Sequence, residues 1–407
     1  MPSPRDHWTL DPEIAYLDHG CFGACPRPVL EAQAELRARM EREPVRFLLR
    51  ELPARLDAAR EALGRFLGAD PDDLAFVTNA TEGVSTVLAS LAFRPGDELL
   101  TSDHVYNACR NALERAAARS GARLVVAPVP FPLRGPDEIA SAILAAVTPR
   151  SRLALLDHVT SPTALIFPLE RIVPALRERG VETLVDGAHA PGQLPLDLSA
   201  LGAGYYTGNC HKWLCAPKGA AFLHVRRDLQ AGLVPLRTSH GANSPRRDRS
   251  RFRLEFDWTG TDDPTPFLAV PEAIRFLGAL LPGGLPALYA KNHALALRAR
   301  AGLCETLGIA PPCPPELVGS MASVPLPPGE AAGDVLDPGR EPLREALWQR
   351  GIDVPVFPWP RPPRRLLRIS GQAYVEGRDL ERLFQALREL LARGATAGQE
   401  GSPPLGV

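Results

Sequence analysis

The stretch GYYTGNCHKWLCAPKGAAFLHV, residues 204–225, contains two of the three lysines in a chain of 407 residues. The other 43 of its 46 basic residues are arginines, so this sequence uses arginine where any positive charge would serve. Arginine cannot be deprotonated in a protein, whereas lysine can lose its proton and act as a nucleophile. An imine with a carbonyl cofactor requires such an amine. Lys212 is a candidate for this role. For Lys218 and Lys291, a functional role and retention by chance explain the lysine equally well.

The quoted stretch closes a series of helices that alternate with short apolar runs. Each run has the length of one buried strand; the runs cover residues 74–77, 97–102, 122–129, 152–159, 182–186, 204–208 and 219–225. Strands that alternate with helices predict a mostly parallel sheet with helices on both faces. We therefore expect a large α/β domain built on a sheet of the seven-stranded type.

The character of the sequence changes after Leu281, where a long helix, a proline-rich stretch and several short strands predict an α+β segment. The composition of the last residues is typical of disorder. We divide the chain into an N-terminal segment that packs on the other domains, a large domain, a smaller C-terminal domain and a disordered tail: 1–45, 46–280, 281–395 and 396–407.

Composition excludes several classes of function. The net charge is −1, which gives no basis for nucleic-acid binding. No apolar run approaches the roughly 20 residues of a membrane span, and the first residues lack a signal-peptide core, so we expect a soluble cytoplasmic protein. The seven scattered cysteines are expected to be reduced. Cys210, His211 and Cys215 resemble metal ligands, but no second cluster completes a tetrahedral set, so no metal is expected.

Asp186 supplies a possible partner for the lysine. It ends the apolar run ETLVD, and ligands of open α/β sheets lie outside the carboxyl ends of the strands. Alone, this aspartate would more often cap the next segment. Together with Lys212 it suggests pyridoxal phosphate (PLP), which needs a lysine for the imine and an acid at its pyridine nitrogen. The stretch TNATEGVSTVL (78–88) predicts a helix start that can bind the phosphate or, equally, an ordinary helix cap.

Three stretches carry a family resemblance: VDGAHAPGQLPLDLSALGAGYYTGNCHKWLCAPKGAAFL (185–223), YLDHGCFGACPRPVLEAQ (16–33) and DWTGTDDPTPFLAVPEAI (257–274). They resemble the class V aminotransferase family of fold-type I PLP enzymes, and within it the isopenicillin N epimerase-like branch. The resemblance extends over roughly residues 16–390. It implies PLP as cofactor, an amino acid-like substrate and a homodimer.

The resemblance also implies roles for individual residues. Lys212 would form the imine, and Asp186 would pair with the pyridine nitrogen. The other cofactor contacts would be His189 and either Ser161 or Thr160 at the ring hydroxyl, Ala80, Thr81, Asn209 and His211 at the phosphate, and Thr261 at the phosphate of the partner subunit's cofactor.

Two further positions concern catalysis and substrate. Either Tyr106 or His104 would stack on the pyridine ring and act in catalysis, with the register in TSDHVYNAC favouring Tyr106. Arg368, in LLRISGQAY, matches the arginine that binds the substrate carboxylate, since its guanidinium can donate two hydrogen bonds. The following stretch, Tyr374-Val375-Glu376, departs from the family pattern.

The motifs leave several reactions open because all of them use the same cofactor site. The resemblance favours epimerisation at the α-carbon of an amino acid or peptide-like substrate. A C–S lyase, similar to hercynylcysteine sulfoxide lyases, is the main alternative, followed by an aminotransferase and a non-catalytic binding protein of the same fold. Cysteine desulfurases of the resembled family carry a sulfur-accepting cysteine on a loop before the carboxylate-binding arginine. This sequence has no cysteine between Gly319 and Arg368, so a persulfide-forming desulfurase is not expected.

Overall fold

The computed structural model describes residues 3–329 and 341–397. Its strands are β1 (Ala15–Tyr16), β2 (Leu74–Val77), β3 (Glu98–Ser102), β4 (Arg123–Ala127), β5 (Ser151–Asp157), β6 (Glu182–Asp186), β7 (Tyr205–Asn209), β8 (Ala221–Val225), β9 (Met321–Leu326), β10 (Ile352–Asp353), β11 (Val356–Pro358) and β12 (Arg365–Ser370).

The α-helices in the described part are α1 (Arg27–Arg42), α2 (Pro44–Arg46), α3 (Leu52–Leu67), α4 (Ala80–Ser90), α5 (Asn107–Ser120), α6 (Pro136–Ala145), α7 (Leu169–Glu178), α8 (Leu198–Leu201), α9 (Arg251–Phe256), α10 (Thr265–Leu268), α11 (Val270–Ala279), α12 (Gly284–Leu307), α13 (Pro342–Trp348) and α14 (Gly377–Ala397). A π-helical turn, Phe47–Glu51, joins α2 to α3. Short 3₁₀ turns cover Pro4–His7, Pro71–Asp73, Arg227–Gly232, His240–Asn243 and Pro315–Leu317.

The main sheet has seven strands in the order β2-β8-β7-β6-β5-β3-β4. Neighbouring strands are parallel except at β8, which runs antiparallel to both β7 and β2. The strands are apolar on both faces because helices cover both sides of the sheet; Leu184 and Val185 in β6, for example, are fully buried. The predicted mostly parallel sheet is confirmed, and each of its strands overlaps one of the apolar runs in the sequence.

The strand order brings several polar residues to one edge of this sheet. β5, β6 and β7 are adjacent and end in Asp157, Asp186 and Asn209. The neighbouring strand β3 leads into the turn that carries Tyr106. Since carboxyl ends of parallel strands meet at one edge, side chains from distant parts of the sequence converge there.

A smaller antiparallel sheet, in the order β11-β12-β9, carries Arg368 on its central strand. The N-terminal strand β1 pairs in parallel with β10, which ties the beginning of the chain to this C-terminal region. The disordered tail predicted for 396–407 lies outside the described residues from residue 398 onward, and residues 396 and 397 end α14.

Within the described residues, no single helix has the length and apolar character to cross a membrane. One pair of consecutive segments, 265–279 and 284–307, meets the criterion by length and composition but is bent by 75°.

Candidate active site

A cavity of about 200 Å³ lies beyond the carboxyl edge of the main sheet. Its walls include Lys212, Asp186, His189, Tyr106, Ser161 and Asn209. The structure thus brings together residues that are up to 106 positions apart in the sequence, from Tyr106 to Lys212. This convergence of an amine, a carboxylate and hydrogen-bonding groups makes the cavity the candidate active site.

A wider cleft of about 770 Å³ lies elsewhere on the large domain, so size alone does not select the site. Four of its five arginines pair with carboxylates, for example Arg60 with Asp257, Arg227 with Asp70, Arg249 with Asp57 and Arg253 with Asp72. Charges that neutralise one another offer little to a ligand, and this cleft contains no lysine.

Lys212 lies in the loop between β7 and β8, and its Nζ is 3.3 Å from Nε2 of His189. The indole N–H of Trp213 points at the other ring nitrogen, Nδ1, at 3.4 Å. Because an indole can only donate, Nδ1 accepts and the proton of the neutral imidazole sits on Nε2. In this tautomer His189 donates to Lys212, an arrangement that favours the neutral form of the amine. Burial, followed by the positive charge of the nearby Arg368, lowers the pKa of Lys212, which also favours the neutral amine.

Asp186 is held by two donors at the end of β6. Its Oδ1 accepts from the Ala188 amide at 3.0 Å, and its Oδ2 accepts from the Cys109 thiol at 3.0 Å. The carboxylate is almost fully buried. Hydrogen bonds to both oxygens fix the orientation of the carboxylate at the cavity wall. Asp186 is thus equipped to pair with a protonated ring nitrogen.

The start of α4 lies at the cavity wall. Asn79 caps the helix through its side-chain oxygen, which accepts from the Glu82 amide at 2.8 Å, so the cap alternative is confirmed, while phosphate binding stays a prediction. The Asn209 side-chain oxygen accepts from the Ala80 amide at 2.8 Å and links β7 to this helix. Ala80 and Thr81 line the cavity, and although the Ala80 and Glu82 amides already have acceptors, the positive end of the helix dipole there favours an anion.

His211 lines the same end of the cavity. Its Nδ1 is buried and has no hydrogen-bond partner among the residues that the structure describes. Burial, followed by Lys212, lowers the pKa of His211 to about 4, so the ring is neutral at pH 7. An unpartnered buried nitrogen is costly unless a ligand engages it, which makes His211 a suitable phosphate contact.

Of the two candidates for ring stacking, Tyr106 lines the cavity and is 37% exposed. His104 is fully buried behind it, with Nδ1 2.6 Å from the Thr163 hydroxyl and Nε2 2.9 Å from the Val129 carbonyl. Its ring packs against Trp359 at 4.7 Å. The geometry therefore favours Tyr106 over His104 for the contact with cofactor or substrate.

A similar distinction separates Ser161 from Thr160. Ser161 lines the cavity, whereas Thr160 is fully buried and its hydroxyl is 2.8 Å from the Thr163 hydroxyl. Ser161 also binds Arg368, which donates to its carbonyl at 2.7 Å and its hydroxyl at 3.1 Å. The geometry favours Ser161 for the cofactor contact and places it beside the predicted carboxylate-binding arginine.

Arg368 is 1% exposed and faces two groups that sequence analysis did not include in the site. Its Nη2 lies 3.5 Å from the Asp18 carboxylate and 2.8 Å from the Cys21 thiol. Burial raises the pKa of the Cys21 thiol to about 11, so the thiol is neutral beside the guanidinium. Cys21 lines the cavity, and its only signal in the sequence was its place within the family-like stretch 16–33.

The N-terminal strap, residues 18–24, covers the lysine loop. The neutral His19 ring donates from Nε2 to the Lys212 carbonyl at 3.1 Å, and Lys218 donates to the Gly23 carbonyl at 2.5 Å. A Cβ on Gly23 would lie 2.5 Å from the Lys212 carbonyl oxygen, so only glycine permits this approach. Lys218, left open by the sequence, therefore has a structural contact that holds the strap.

Thr261 is exposed and does not line this chain's own cavity. It follows Gly260, which has a φ of 118° and adopts a backbone conformation that disfavours other residues. A role for Thr261 at a cofactor therefore requires a second subunit.

Residues 15–310 match the family model described as Aminotransferase class-V. The chain belongs to the class V aminotransferase family. It is 41% identical over 402 residues to an isopenicillin N epimerase from Amycolatopsis lactamdurans, an alignment that covers 95% of this chain and 97% of the relative. It is 31% identical over 409 residues to a probable chloroplastic L-cysteine desulfhydrase from Arabidopsis thaliana, covering 94% of this chain and 84% of the relative.

The fold is also that of solved PLP-bound structures. A C-DES mutant with glycine covalently linked to the PLP cofactor superposes with a TM-score of 0.77 at 21% identity, covering 96% of this chain and 100% of the other. The class V chain described here is accordingly a PLP-dependent enzyme. Its residues fit the cofactor: a neutral amine at Lys212, a doubly hydrogen-bonded carboxylate at Asp186 and an unpartnered nitrogen on His211 beside a helix start.

Proposed function

We propose that this enzyme epimerises the α-carbon of an amino acid or a peptide-like amino substrate. The observation that carries the proposal is that one cavity is lined by two groups suited to opposite halves of a proton exchange, Lys212 and Tyr106. The similarity to an isopenicillin N epimerase over nearly the whole chain supports the same reaction.

Bound PLP withdraws electrons from the substrate α-carbon and thereby makes its C–H bond acidic. In its unprotonated form the Nζ of Lys212 can remove this proton as a general base. Burial, followed by Cys109 and Asp186, raises the pKa of the Tyr106 phenol, which therefore keeps its proton. Tyr106 also lines the cavity and is accordingly suited to deliver a proton, directly or through water.

The remaining residues hold the reacting groups. Lys212 and Asp186 would hold the cofactor at its carbonyl and its ring nitrogen, and His211 with the start of α4 would hold its phosphate. Arg368 would bind the substrate carboxylate; it does not itself line the cavity but contacts its wall through Ser161. A fixed carboxylate orients the α-hydrogen toward Lys212.

The test of the reaction is a substrate screen in heavy water that follows three products together. Epimerisation predicts that substrate gains deuterium at the α-carbon and loses optical purity at comparable rates. Keto-acid formation would place the enzyme among the aminotransferases.

A C–S lyase is the second candidate, because the chain is 31% identical to a probable L-cysteine desulfhydrase. The same base, Lys212, would remove the α-proton, and a sulfur group would then leave from the β-carbon. Rapid release of pyruvate, ammonia and a sulfur fragment without a D-product would establish this alternative in place of epimerisation.

We also propose a homodimer in which Thr261 completes the phosphate site of the partner subunit. The exposed position of Thr261 and the exposed apolar side chains of Phe22, Val45 and Leu49 support this arrangement. Mixing a Thr261→Arg variant with a Lys212→Ala variant tests it, because a hybrid dimer would contain one intact site and regain activity. A fully active monomer at the assay concentration would refute the shared site.

A further inference from the structure

Asp157 ends β5 directly beside Asp186, which ends β6. The two residues are in register on neighbouring parallel strands. Neighbouring strands lie about 4.8 Å apart, and residues in register point their side chains to the same side. Two carboxyl groups therefore stand next to each other at the wall of the cavity, although sequence analysis selected only Asp186.

The two carboxyl groups differ in their partners. Asp186 accepts a hydrogen bond on each oxygen, from Ala188 and from Cys109. Asp157 accepts only on Oδ1, from the Tyr106 amide at 3.3 Å. Its Oδ2 is buried, and within the described part of the chain it has no partner, while Asp157 as a whole is 2% exposed and lines the cavity.

Two adjacent buried carboxylates cannot both ionise without strong repulsion, so such a pair holds one proton. Both oxygens of Asp186 already accept a hydrogen bond, which leaves the unpartnered Oδ2 of Asp157 as the position for the proton. The groups that face Asp157 are Asp186 from β6, the Tyr106 amide and Cys109 from α5, and Lys212 from the loop after β7. Burial, followed by Asp186, raises the pKa of Asp157 well above its ordinary range, and the opposing influence of Lys212 is smaller.

We propose that Asp157 is a positioning residue of the cofactor site, a neutral carboxylic acid that holds the Tyr106 amide with Oδ1 and donates a hydrogen bond into the cavity from Oδ2. The pair with Asp186 then carries a single negative charge, which matches one protonated ring nitrogen. One residue thus links the ring-binding end of the site to the backbone of the residue proposed to deliver the proton. The inference rests on the family's cofactor and not on the proposed reaction.

The protonation state can be measured on the full-length holoenzyme without any turnover. The infrared spectrum of the wild type at pH 7, minus that of Asp157→Asn, should contain the carbonyl band of a neutral carboxylic acid, and this band should shift in heavy water. The control Asp137→Asn changes an exposed carboxylate on α6 that pairs with Arg171, and its difference spectrum should lack the band. If the Asn variant does not fold, Asp157→Ala gives the same difference. Loss of a carboxylate band instead would overturn the proposal.

The positioning role is tested by cofactor affinity, measured by titrating the apoprotein with PLP. Asp157→Ala removes the acceptor for Tyr106 and the donor into the cavity, and the lost hydrogen bonds should weaken binding by about tenfold or more. Asp157→Asn keeps an acceptor and a donor, so it should weaken binding less than Ala does. Wild-type affinity in the Ala variant, or equal losses in both variants, would refute the role. Both measurements remain informative if the enzyme proves to be a lyase.

Discussion

Lys212 accepts a hydrogen bond from His189 across 3.3 Å, and this donor is set by the Trp213 indole on the far side of the ring. This donor favours the neutral form of the Lys212 amine. Burial, followed by Arg368, also lowers the pKa of Lys212 from its ordinary value of 10.5. The Trp213–His189–Lys212 chain therefore prepares the nucleophile.

Replacing Lys212 should abolish the covalent cofactor linkage. Lys212→Ala is expected to retain no cofactor after borohydride reduction, because no other amine is proposed to form the imine. Lys218→Arg keeps a donor to the Gly23 carbonyl and should remain fixable. Peptide mapping of the reduced protein checks both; label on Lys218 or Lys291 would contradict the assignment.

Trp213→Phe should move cofactor capture to higher pH. Capture accelerates as pH rises and levels off above the pKa of Lys212, since only the neutral amine reacts. Losing the indole donor releases the tautomer of His189 and should raise the pKa of Lys212, because the neutral amine then loses the hydrogen bond that favours it. Stopped-flow absorbance across a pH series measures the midpoint. An unchanged midpoint in a folded variant would show that the indole has no such influence.

Tyr106→Phe should separate the two halves of the proton exchange. We expect loss of optical purity to slow by about 10²–10⁴-fold, as is usual when a general acid is removed, while α-deuteration with retention slows less because Lys212 is intact. Chiral chromatography with mass spectrometry of one sample gives both rates. Equal slowing of both would argue that the phenol only positions the cofactor.

Arg368→Lys should reduce kcat/KM by roughly 10- to 150-fold, because charge-assisted hydrogen bonds are worth about 1.5–3 kcal/mol and lysine cannot form the fork. The loss should appear mainly in KM for substrates with a free carboxylate. Arg364→Lys, at an exposed position, is the matched control. With esterified substrates, the kcat/KM values of wild type and Arg368→Lys should differ little. A large difference with the ester would exclude carboxylate binding by Arg368.

Gly23→Ala should lift the N-terminal strap from the lysine loop. The added Cβ would meet the carbonyl oxygens of His211 and Lys212 at 2.5 Å, and overpacking of this kind costs about 1–3 kcal/mol. Gly232→Ala is the control, since its Cβ would meet nothing within 4 Å. Thermal denaturation and PLP titration should show losses in the first variant alone.

The main sheet and the choice of Lys212 and Asp186 as site candidates followed from local patterns in the sequence, and the structure places both residues in one cavity. Alternation of apolar runs and helices located the strands of the main sheet, and the rarity of lysine singled out Lys212. The hydrogen bond from Cys109 to Asp186 joins residues 77 positions apart, and no periodic or local pattern in the sequence predicts it. The side-by-side position of Asp157 and Asp186 could not be predicted for a related reason, because it depends on the order and register of two strands. His104 and Tyr106 were separable only by the packing that buries one ring and exposes the other.

The pairing of β1 with β10 joins Ala15 to Ile352 and Tyr16 to Asp353. Since a chain emerges from the ribosome N-terminus first, at about 5–20 residues per second, β1 has no partner until residues 352 and 353 have been made. All seven strands of the main sheet precede residue 226, so they can pair before that moment. The first strand of the chain is therefore among the last to be paired during synthesis.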